Sequence, residues 1–340
     1  MSFRFFRMPA AATPGTARPA TARPVTAVAA IAMATVAAMT LAGCTGKTTA
    51  SSGGPEKPDL VVGAVPAADS VGLYIAQQKG LFAAQGLHVK IIPVTSSATA
   101  ISDQLAGRYD VTIGNYVSYI LADAVGGASL HILAEASLMQ PRVQEVLTMP
   151  GSPIKSVTEL KGKKVGVNVL DNIGTLLVSS VLADNAMSAS DVHFVAIPFP
   201  KMAAALQAHQ VDAAWLPEPF ISAAQAAIGA QELFDADRGA TQNLPIAGYV
   251  ATQQWAKSYP RTAAAFVRAI TAAQEIADTD RAAVEQALIA YTGVSQMIAA
   301  VMAIDTYPQR VDTIRIQRVA DAMLRFGLLT HPFDVTQMTS

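Results

Sequence analysis

From Leu60 onward, short runs of apolar residues alternate with longer windows in which apolar residues recur at helical spacing. The run "LVVGAV" (Leu60 to Val65) predicts a strand, and "VGLYIAQQKG" predicts a helix that ends at Gly80, because glycine tolerates the left-handed conformation of a helix C-terminus. The apolar residues of "LHVKIIPV" alternate, which predicts a second strand. Repeated strand and helix units of this kind predict an α/β fold, with a mostly parallel sheet covered by helices on both faces.

A second series of such units begins after "VQEVLTMPGSPI". Its predicted strands are "KKVGVN", "VHFVAIP" and "VDAAWL". The run "AGYVAT" predicts one more strand, and the chain beyond it is predicted to be almost entirely helical as far as Phe326. Two α/β series joined by extended segments predict two lobes, with crossings near Val146 and Pro245. We therefore expect residues 59–147 and 246–340 to form the first lobe, including a helical C-terminal tail, and residues 148–245 to form the second lobe.

The N-terminal part of the chain has the pattern of an export signal. Several arginines precede an uncharged, largely small and apolar run from Val25 to Gly43. The run ends in Leu41-Ala42-Gly43-Cys44, which resembles a bacterial lipobox, where the signal is cut before a cysteine that then carries lipid. The resemblance predicts a lipoprotein signal peptide at residues 1–43 and lipidation at Cys44.

Other interpretations of this segment are a plain signal, a transmembrane helix or a buried free cysteine. The apolar run is shorter than the roughly 20 residues that a membrane span needs. Residues 44–58 are rich in Ser, Gly, Thr and Pro, which predicts a flexible tether. We expect the mature protein at the extracytoplasmic face of the cell membrane, held there by its acyl chains.

Composition narrows the possible functions. The chain has one cysteine, so with Cys44 lipidated no disulfide can form and stability must come from a hydrophobic core. The formal net charge is -1, and no basic run is longer than "KGKK" (Lys161 to Lys164), which argues against nucleic acid as a partner. The mean hydropathy of +0.34 comes largely from alanine, and no second run reaches membrane-spanning length, so a soluble domain is expected.

Motifs of catalysis are missing from the sequence. It contains no G-x-S-x-G, no P-loop, no G-x-G-x-x-G after a strand and no H-E-x-x-H. The five histidines lie without metal-ligand spacing at His88, His131, His193, His209 and His331. We predict a protein without catalytic residues, metal or cofactor, although a Ser-His-Asp triad stays open because its members need not be adjacent in sequence.

Polar residues recur where a predicted strand ends and a helix begins. They are Asp69-Ser70, Ser96-Ser97, Asn115-Tyr116 and Asp171-Asn172. These junctions lie at the carboxyl edge of a parallel sheet, where ligands bind and helix N-termini present free N-H groups. Ordinary helix capping explains each junction taken alone. Four junctions distributed over two lobes would line a shared cleft.

Three segments resemble a known family: "KGLFAAQGLHVKI" (Lys79 to Ile91), "SPIKSVTELKGKKVGVN" (Ser152 to Asn168) and "ALQAHQVDAAWLPEPF" (Ala205 to Phe220). They are similar to the substrate-binding lipoproteins of ABC importers, in the group for aliphatic sulfonates, taurine and nitrate, with relatives that bind thiamine-precursor pyrimidines. The similarity runs from about Asp59 to about Arg268. It implies a class II periplasmic-binding-protein-like fold whose cleft closes on a small solute. It also implies a monomer that delivers the solute to an ABC permease and its ATPase.

The resemblance also implies ligand contacts. They fall on Ser70, Gly72, Ser96, Ser97, Asn115, Asp171, Asn172, Ile173, Trp215 and Glu218. Trp215 would supply a flat apolar wall, although "AAWL" is equally consistent with a buried strand.

Charge near these positions bears on the class of ligand. Sulfonate-binding relatives often have Gly-Ser where this chain has Leu170-Asp171, and an ionised Asp171 would oppose an anion at the helix N-terminus. Asp69 and Glu218 add negative charge, while Arg142 and Lys201 are the best candidate cations. The balance favours a neutral or amine-bearing ring such as a pyrimidine.

Two other functions stay open. One is an enzyme similar to the thiamine-pyrimidine synthases on the same fold, for which Lys201 is the nearest candidate for a pyridoxal phosphate lysine, although clustered histidines are missing. The other is a ligand-sensing domain that passes its signal to a partner protein.

Overall fold

Ten strands form two five-stranded sheets within residues 53–339, the part of the chain that the computed structural model describes. The predicted signal peptide and Cys44 lie outside the described residues. The strands are β1 (Asp59–Ala64), β2 (His88–Pro93), β3 (Val111–Asn115), β4 (Leu130–Leu138), β5 (Gln144–Thr148), β6 (Lys164–Val167), β7 (His193–Ala196), β8 (Ala213–Pro217), β9 (Gln231–Asp235) and β10 (Pro245–Thr252).

Each sheet has four strands in one direction and one strand in the other. The first sheet has the order β2-β1-β3-β10-β4, in which β10 runs antiparallel to both of its neighbours. The second sheet has the order β7-β6-β8-β5-β9, in which β5 is the antiparallel strand. The prediction of an α/β fold with two mostly parallel sheets is confirmed.

The chain passes between the sheets twice. It leaves the first sheet after Leu138 and enters the second at Gln144, and it returns between Asp235 and Pro245. The first crossing therefore lies a few residues before the predicted position near Val146, which is inside β5 of the second sheet. No strand is predicted from the sequence in "VQEVLTMPGSPI", and a local apolar pattern carries no information on which sheet a strand joins.

Twelve helices pack around the sheets within the described range. They are α1 (Val71–Gln78), α2 (Leu81–Ala84), α3 (Ser97–Leu105), α4 (Tyr116–Ala124), α5 (Ile173–Asp184), α6 (Phe199–Gln207), α7 (Phe220–Ile228), α8 (Gln253–Ser258), α9 (Pro260–Thr279), α10 (Arg281–Thr292), α11 (Gln296–Val301) and α12 (Thr313–Arg325). The C-terminal tail is helical as predicted: α9 packs against α1 and α2, and α12 packs against α4. Each helix in residues 53–339 is too short or too polar to cross a membrane.

Residues just before β1 are packed against the C-terminal half of the chain. The Glu56 carboxylate accepts hydrogen bonds from the backbone N-H groups of Arg261 (3.1 Å) and Thr262 (2.8 Å), at the start of α9. Lys57 pairs with Asp110 and donates its backbone N-H to the Thr262 hydroxyl at 2.9 Å. Because Tyr259, the residue before α9, offers no side-chain cap, Glu56 caps this 20-residue helix from a distant part of the sequence. Residues 53–58, predicted as tether, thus belong to the folded part of the chain.

Replacing Glu56 with alanine is expected to lower the melting temperature, because two helix N-H groups lose their acceptor. These hydrogen bonds lower the pKa of Glu56 from 4.5 to about 2, against the opposing effect of desolvation. Its stabilising contribution is therefore complete above pH 4.5 and is lost as the pH falls toward 2. Thermal unfolding followed by circular dichroism across this range measures the effect. Glu275→Ala, at an exposed position of the same helix, is the control. An equal decrease in melting temperature in both variants would contradict the role of Glu56 as the cap of α9.

Candidate functional site

The carboxyl ends of the parallel strands in the two sheets meet across a cleft. The backbone N-H of Ala68, after β1, donates to the carbonyl of Glu218, after β8, at 3.1 Å. On another side of the cleft, the Asn172 amide at the start of α5 donates to the Ser118 hydroxyl of α4 at 2.8 Å. These contacts join the loops of one sheet directly to those of the other, as the sequence pattern of polar junctions predicts.

A cavity of about 470 Å³ lies in this cleft, and we call it the cleft cavity. One wall consists of Val65, Pro66, Pro93, Val94 and Thr95, at the ends of β1 and β2. The opposite wall consists of Pro198, Phe199, Pro200, Lys201 and Phe220, around the starts of α6 and α7. The volume is within the range of small-molecule sites, and the prolines hold the backbone of both walls in fixed conformations.

Aromatic rings form the second-sheet wall of the cleft cavity. The rings of Phe199 and Phe220 stack with their centroids 5.0 Å apart. Phe199 also packs against Trp215, with 5.7 Å between the ring centroids. Lys201, in the first turn of α6, is exposed and is the charged member of the lining among the described residues. The cavity can therefore hold a flat apolar group, with one cation at its edge.

Three predicted contacts, Ser97, Asn115 and Asn172, form a chain of hydrogen bonds together with Ser118. We call these four residues the interlobe polar network. The Ser97 hydroxyl accepts from the backbone N-H and the amide of Asn115, at 3.1 and 3.0 Å. The Asn115 side chain caps α4 by accepting from the N-H of Ser118 at 2.9 Å, and Ser118 in turn accepts from Asn172. Ser118 was missed by the sequence prediction. Its place in the first turn of a helix that follows a polar junction is the signal that could have found it.

Four other predicted contacts, Ser70, Gly72, Ser96 and Ile173, take part in local packing and helix capping and are not in the lining of the cleft cavity. The Ser70 hydroxyl donates to the carbonyl of Val65 at 2.7 Å, and a side chain at Gly72 would meet Gln274. Ser96 caps α3, and Ile173 is buried in the first turn of α5. Direct contact of these residues with a solute stays a prediction.

Trp215 and Glu218, in the segment after β8, are both buried. Trp215 is 1% exposed, and its indole nitrogen has no hydrogen-bond partner among the described residues. Its ring lies against Gly174, where an added Cβ would be 2.5 Å from the indole. The Glu218 carboxylate accepts from the backbone N-H and the hydroxyl of Ser222, at 3.1 and 2.7 Å. Trp215 packs against Phe199 and so supports the wall that Phe199 and Phe220 present to the cavity.

Asp171 does not have the role that the sequence left open for it as a helix cap. The cap of α5 is Asn172, whose side chain accepts from the N-H of Ile173 at 2.6 Å, while Asp171 is exposed with a φ of 51°. The residues that line the cleft cavity are neighbours of the predicted ones, such as Thr95 beside Ser96 and Phe220 near Glu218. Lys201 is the charged residue in the lining of the cleft cavity.

Three carboxyl groups lie where the loops of the two sheets meet. Glu218 follows β8 of the second sheet, Asp69 follows β1 and Asp305 follows α11. Burial raises the pKa of Asp69 from 3.8 to about 6. Burial also raises the pKa of Glu218 and of Asp305, and the charges of Asp69 and Glu218 raise the latter further.

Asp69 is expected to make stability fall as the pH rises. Its pKa is higher in the folded protein than in the unfolded chain, so its protonated form is favoured by folding. Stability is then lost between pH 3.8 and about pH 6, because in this window the unfolded chain releases the proton first. Urea unfolding at several pH values should show a smaller decline in Asp69→Asn. The control is Asp278→Asn, on the surface of α9. If the free energy of unfolding fell as steeply with pH in Asp69→Asn as in the control, Asp69 would not be the source of the pH dependence.

The arrangement in the cleft is suited to binding. Within residues 53–339, no cluster of three or more histidine, cysteine, aspartate or glutamate side chains is placed to hold a metal ion. Two α/β sheets whose carboxyl edges enclose a small cavity define the periplasmic-binding-protein-like class. The chain belongs to the family described as NMT1/THI5 like, which matches residues 67–281. The family predicted from the three sequence segments is confirmed.

Solved structures share this fold at low sequence identity. The alkanesulfonate-binding protein SsuA from Xanthomonas axonopodis pv. citri, bound to MOPS, has a TM-score of 0.71 and 19% identity, covering 84% of this chain and 99% of that one. The periplasmic nitrate-binding protein NrtA from Synechocystis PCC 6803 has a TM-score of 0.68 and 16% identity, covering 82% and 83%. The desulfurization enzyme DSZB has a TM-score of 0.64 and 17% identity, covering 84% and 96%. The fold is thus shared by binding proteins and by an enzyme.

One curated relative is similar over part of its length. It is a putative thiamine biosynthesis protein of Haemophilus influenzae, 29% identical over 145 residues, which is 43% of this chain. The match spans 45% of that relative, less than half of its length.

Proposed function

We propose that this protein is the extracytoplasmic solute-binding component of an ABC importer. It captures a small organic solute in the cleft cavity, and the solute is sulfonate-, taurine- or nitrate-like, or pyrimidine-like. The observation that carries the proposal is the composition of the cavity lining, in which the two sheets contribute opposite walls. A solute in such a cavity contacts both lobes at once and therefore favours the closed arrangement over an open one.

The expected mechanism is a shift in the population of open and closed forms. To move this equilibrium from 1:99 to 99:1, the solute must bind the closed form about 5.5 kcal/mol more tightly. Contacts with two aromatic rings and several hydrogen bonds are sufficient for such a difference. An ABC permease with its ATPase then recognises the closed form. The protein acts as a monomer, held at the membrane by lipid on Cys44.

A thermal-shift screen tests the proposal. The purified protein is mixed with sulfonates, nitrate, pyrimidines, flavins and amines, and native mass spectrometry looks for a retained small molecule. A true solute raises the melting temperature in proportion to the logarithm of its concentration, with about 2.7 kcal/mol of stabilisation at 100 times its Kd. It should be recovered unchanged.

Phe199→Ala is the variant that tests the site, and Phe326→Ala, at the end of α12 and outside the cleft cavity, is its control. Weaker stabilisation by the solute in the first variant alone supports binding in the cleft. Failure of the whole panel to shift well-folded protein, together with no retained molecule, would overturn the proposal.

An enzyme on this fold is the second candidate, because Lys201 borders the cleft cavity and could form a Schiff base with an aldehyde cofactor. Titration with pyridoxal phosphate tests it. An absorbance band of the Schiff base that is lost in Lys201→Met would favour the enzyme over the solute receptor.

A further inference from the structure

Three loops that carry carboxyl groups meet where the two sheets face each other. The backbone N-H of Ala68, after β1, donates to the carbonyl of Glu218, after β8, at 3.1 Å. The Ala68 carbonyl accepts from the Tyr307 hydroxyl, in the segment between α11 and α12, at 3.3 Å. Asp69 follows Ala68 in the chain, and Asp305 lies two residues before Tyr307. These hydrogen bonds bring the three loops together, and we call Asp69, Glu218 and Asp305 the interlobe carboxyl cluster.

The interlobe carboxyl cluster is divided between the two sheets. Glu218 follows β8 of the second sheet, and Asp69 follows β1 of the first. Asp305 is attached to the first sheet, because the next residue, Thr306, exchanges two backbone hydrogen bonds with Leu138 at the end of β4, at 2.8 and 3.2 Å. Opening of the cleft would therefore separate Glu218 from the other two carboxyl groups and admit water to all three.

The three carboxyl groups are enclosed without a cation of their own. Glu218 is 3% exposed and Asp305 is 7% exposed, while Asp69 is partly buried. The Oδ1 atom of Asp305 has no hydrogen-bond partner among the described residues. Within residues 53–339, no arginine, lysine or histidine forms an ion pair with any of the three. A buried carboxylate without such a partner is costly, so the closed arrangement disfavours ionisation of the cluster.

Other titratable side chains around the cluster do not compensate its charge. Burial raises the pKa of Glu218, and the charge of Arg142 opposes this rise only in part, since Arg142 pairs with Glu145 of β5 at 3.4 Å. Arg281 pairs with Glu285 at 2.7 Å and donates to backbone carbonyls at the end of α11. Four tyrosines face the cluster from other elements: Tyr119, Tyr249, Tyr291 and Tyr307. Burial raises their pKa values above 10, so they stay neutral.

We propose that the interlobe carboxyl cluster is a proton-dependent contact between the lobes, which keeps the cleft closed when it is protonated and favours opening when it ionises. This inference rests on the proposed function, because it requires a cleft that opens and closes. In the open form, water would surround the three groups and return each pKa toward its ordinary value.

The sign of the effect follows from the pKa of each group in the closed form. Burial raises the pKa of Asp69 from 3.8 to about 6, and burial together with the charges of Asp69 and Glu218 raises that of Asp305 well above 3.8. Closing therefore takes up protons. The closed form is lost as the pH rises from 3.8 through about 6, by up to about tenfold per pH unit for each proton.

Hydrogen exchange measured by NMR on the purified protein, without added solute, tests the proposal. The reporter is the backbone N-H of Ala68, which bonds across the cleft, and the reference is that of Val94, which donates to the Ala64 carbonyl within the first sheet at 2.9 Å. After correction for intrinsic exchange rates, protection of Ala68 should fall about tenfold or more between pH 5 and pH 7, while that of Val94 stays constant. Constant protection of Ala68 would overturn the proposal, and so would an equal fall at both amides, which indicates loosening of the whole fold.

Asp305→Asn tests the cluster itself, because asparagine has nearly the size of aspartate and carries no charge. At pH 7 this variant should protect Ala68 severalfold more strongly than wild type, and Asp69→Asn combined with it should remove most of the pH dependence. Asp278→Asn, on the surface of α9, is the control and should behave like wild type. The same fall in protection in the double variant and in the control would overturn the proposal. The wild-type pH profile decides the question even if a variant fails to fold.

This experiment separates the proton-dependent contact from solute capture. Constant protection of Ala68 in a protein that binds a solute from the thermal-shift screen would overturn the contact and leave the proposed function intact. Exchange at Ala68 that depends on pH, in a protein that binds no member of the panel, would support the contact and count against the proposed function.

Discussion

Replacing Trp215 with alanine is expected to destabilise the protein by about 3–5 kcal/mol, the usual loss when a large buried aromatic side chain is removed. Trp215 is on β8, in the middle of the second sheet between β6 and β5, and its side chain is almost completely buried. The loss should be near the upper end of the range, because α5 approaches the indole through Gly174 and has no side chain there to fill the space. Guanidinium unfolding measures the change.

Two further variants separate packing from solute contact at this position. Trp215→Phe keeps most of the apolar volume and should restore much of the stability. Phe326→Ala, in a half-buried position, should cost clearly less than Trp215→Ala. A loss of less than about 1 kcal/mol in Trp215→Ala would mean that the indole is not the packing centre of this wall, since such small losses are typical of exposed positions. Reduced solute affinity in Trp215→Phe with unchanged stability would support the contact that the family resemblance implies.

Replacing Arg315 with methionine is expected to cost about 3 kcal/mol, because it leaves a buried carboxylate without its cation. The Glu135 side chain on β4 is 0% exposed, and it accepts from the Arg315 guanidinium at 2.8 and 3.2 Å. It also accepts from the backbone N-H of Asp312 at 2.6 Å, just before α12. The pair therefore fixes the last long helix to the first sheet.

The pH dependence of this variant provides a second readout. Burial raises the pKa of Glu135, and the hydrogen bond and charge of Arg315 oppose this rise. Without Arg315 the pKa rises further above its value in the unfolded chain, so the variant should lose more stability as the pH rises. Urea unfolding at acidic and at alkaline pH measures the effect. Glu135→Gln combined with Arg315→Met should recover part of the loss, and Arg310→Met, at an exposed position, is the control. A pH-independent loss would contradict an uncompensated carboxylate.

The pattern of apolar residues was sufficient to predict the helical C-terminus, the two sheets and most of their strands, but not β4, β5 and β9. It placed the crossing between lobes too late because β5 obtains its sheet membership from pairing with β8 and β9, and those partners are distant in sequence. Likewise, no local signal before β1 indicates that Glu56 caps α9, since the two are about two hundred residues apart in the chain.

Solute contact by the predicted site residues stays a prediction. The structure does bring Ser97, Asn115 and Asn172 together through hydrogen bonds, because the carboxyl ends of parallel strands share an edge. The walls of the cleft cavity were missed, because Phe199 and Phe220 look in sequence like ordinary core residues at the starts of helices. Whether an apolar side chain faces the core or a cavity depends on the packing of several elements, and helical spacing alone does not contain that information.

The contact between Glu56 and α9 also determines where the protein can be shortened. Cutting the chain at Asp59 would leave every strand and helix intact, yet it would expose the first turn of α9 and separate Lys57 from Asp110. A truncated version for crystallisation or binding assays should therefore start before Glu56. A version that starts at the first strand would be more sensitive to heat and proteases, for a reason that no inspection of the cleft would reveal.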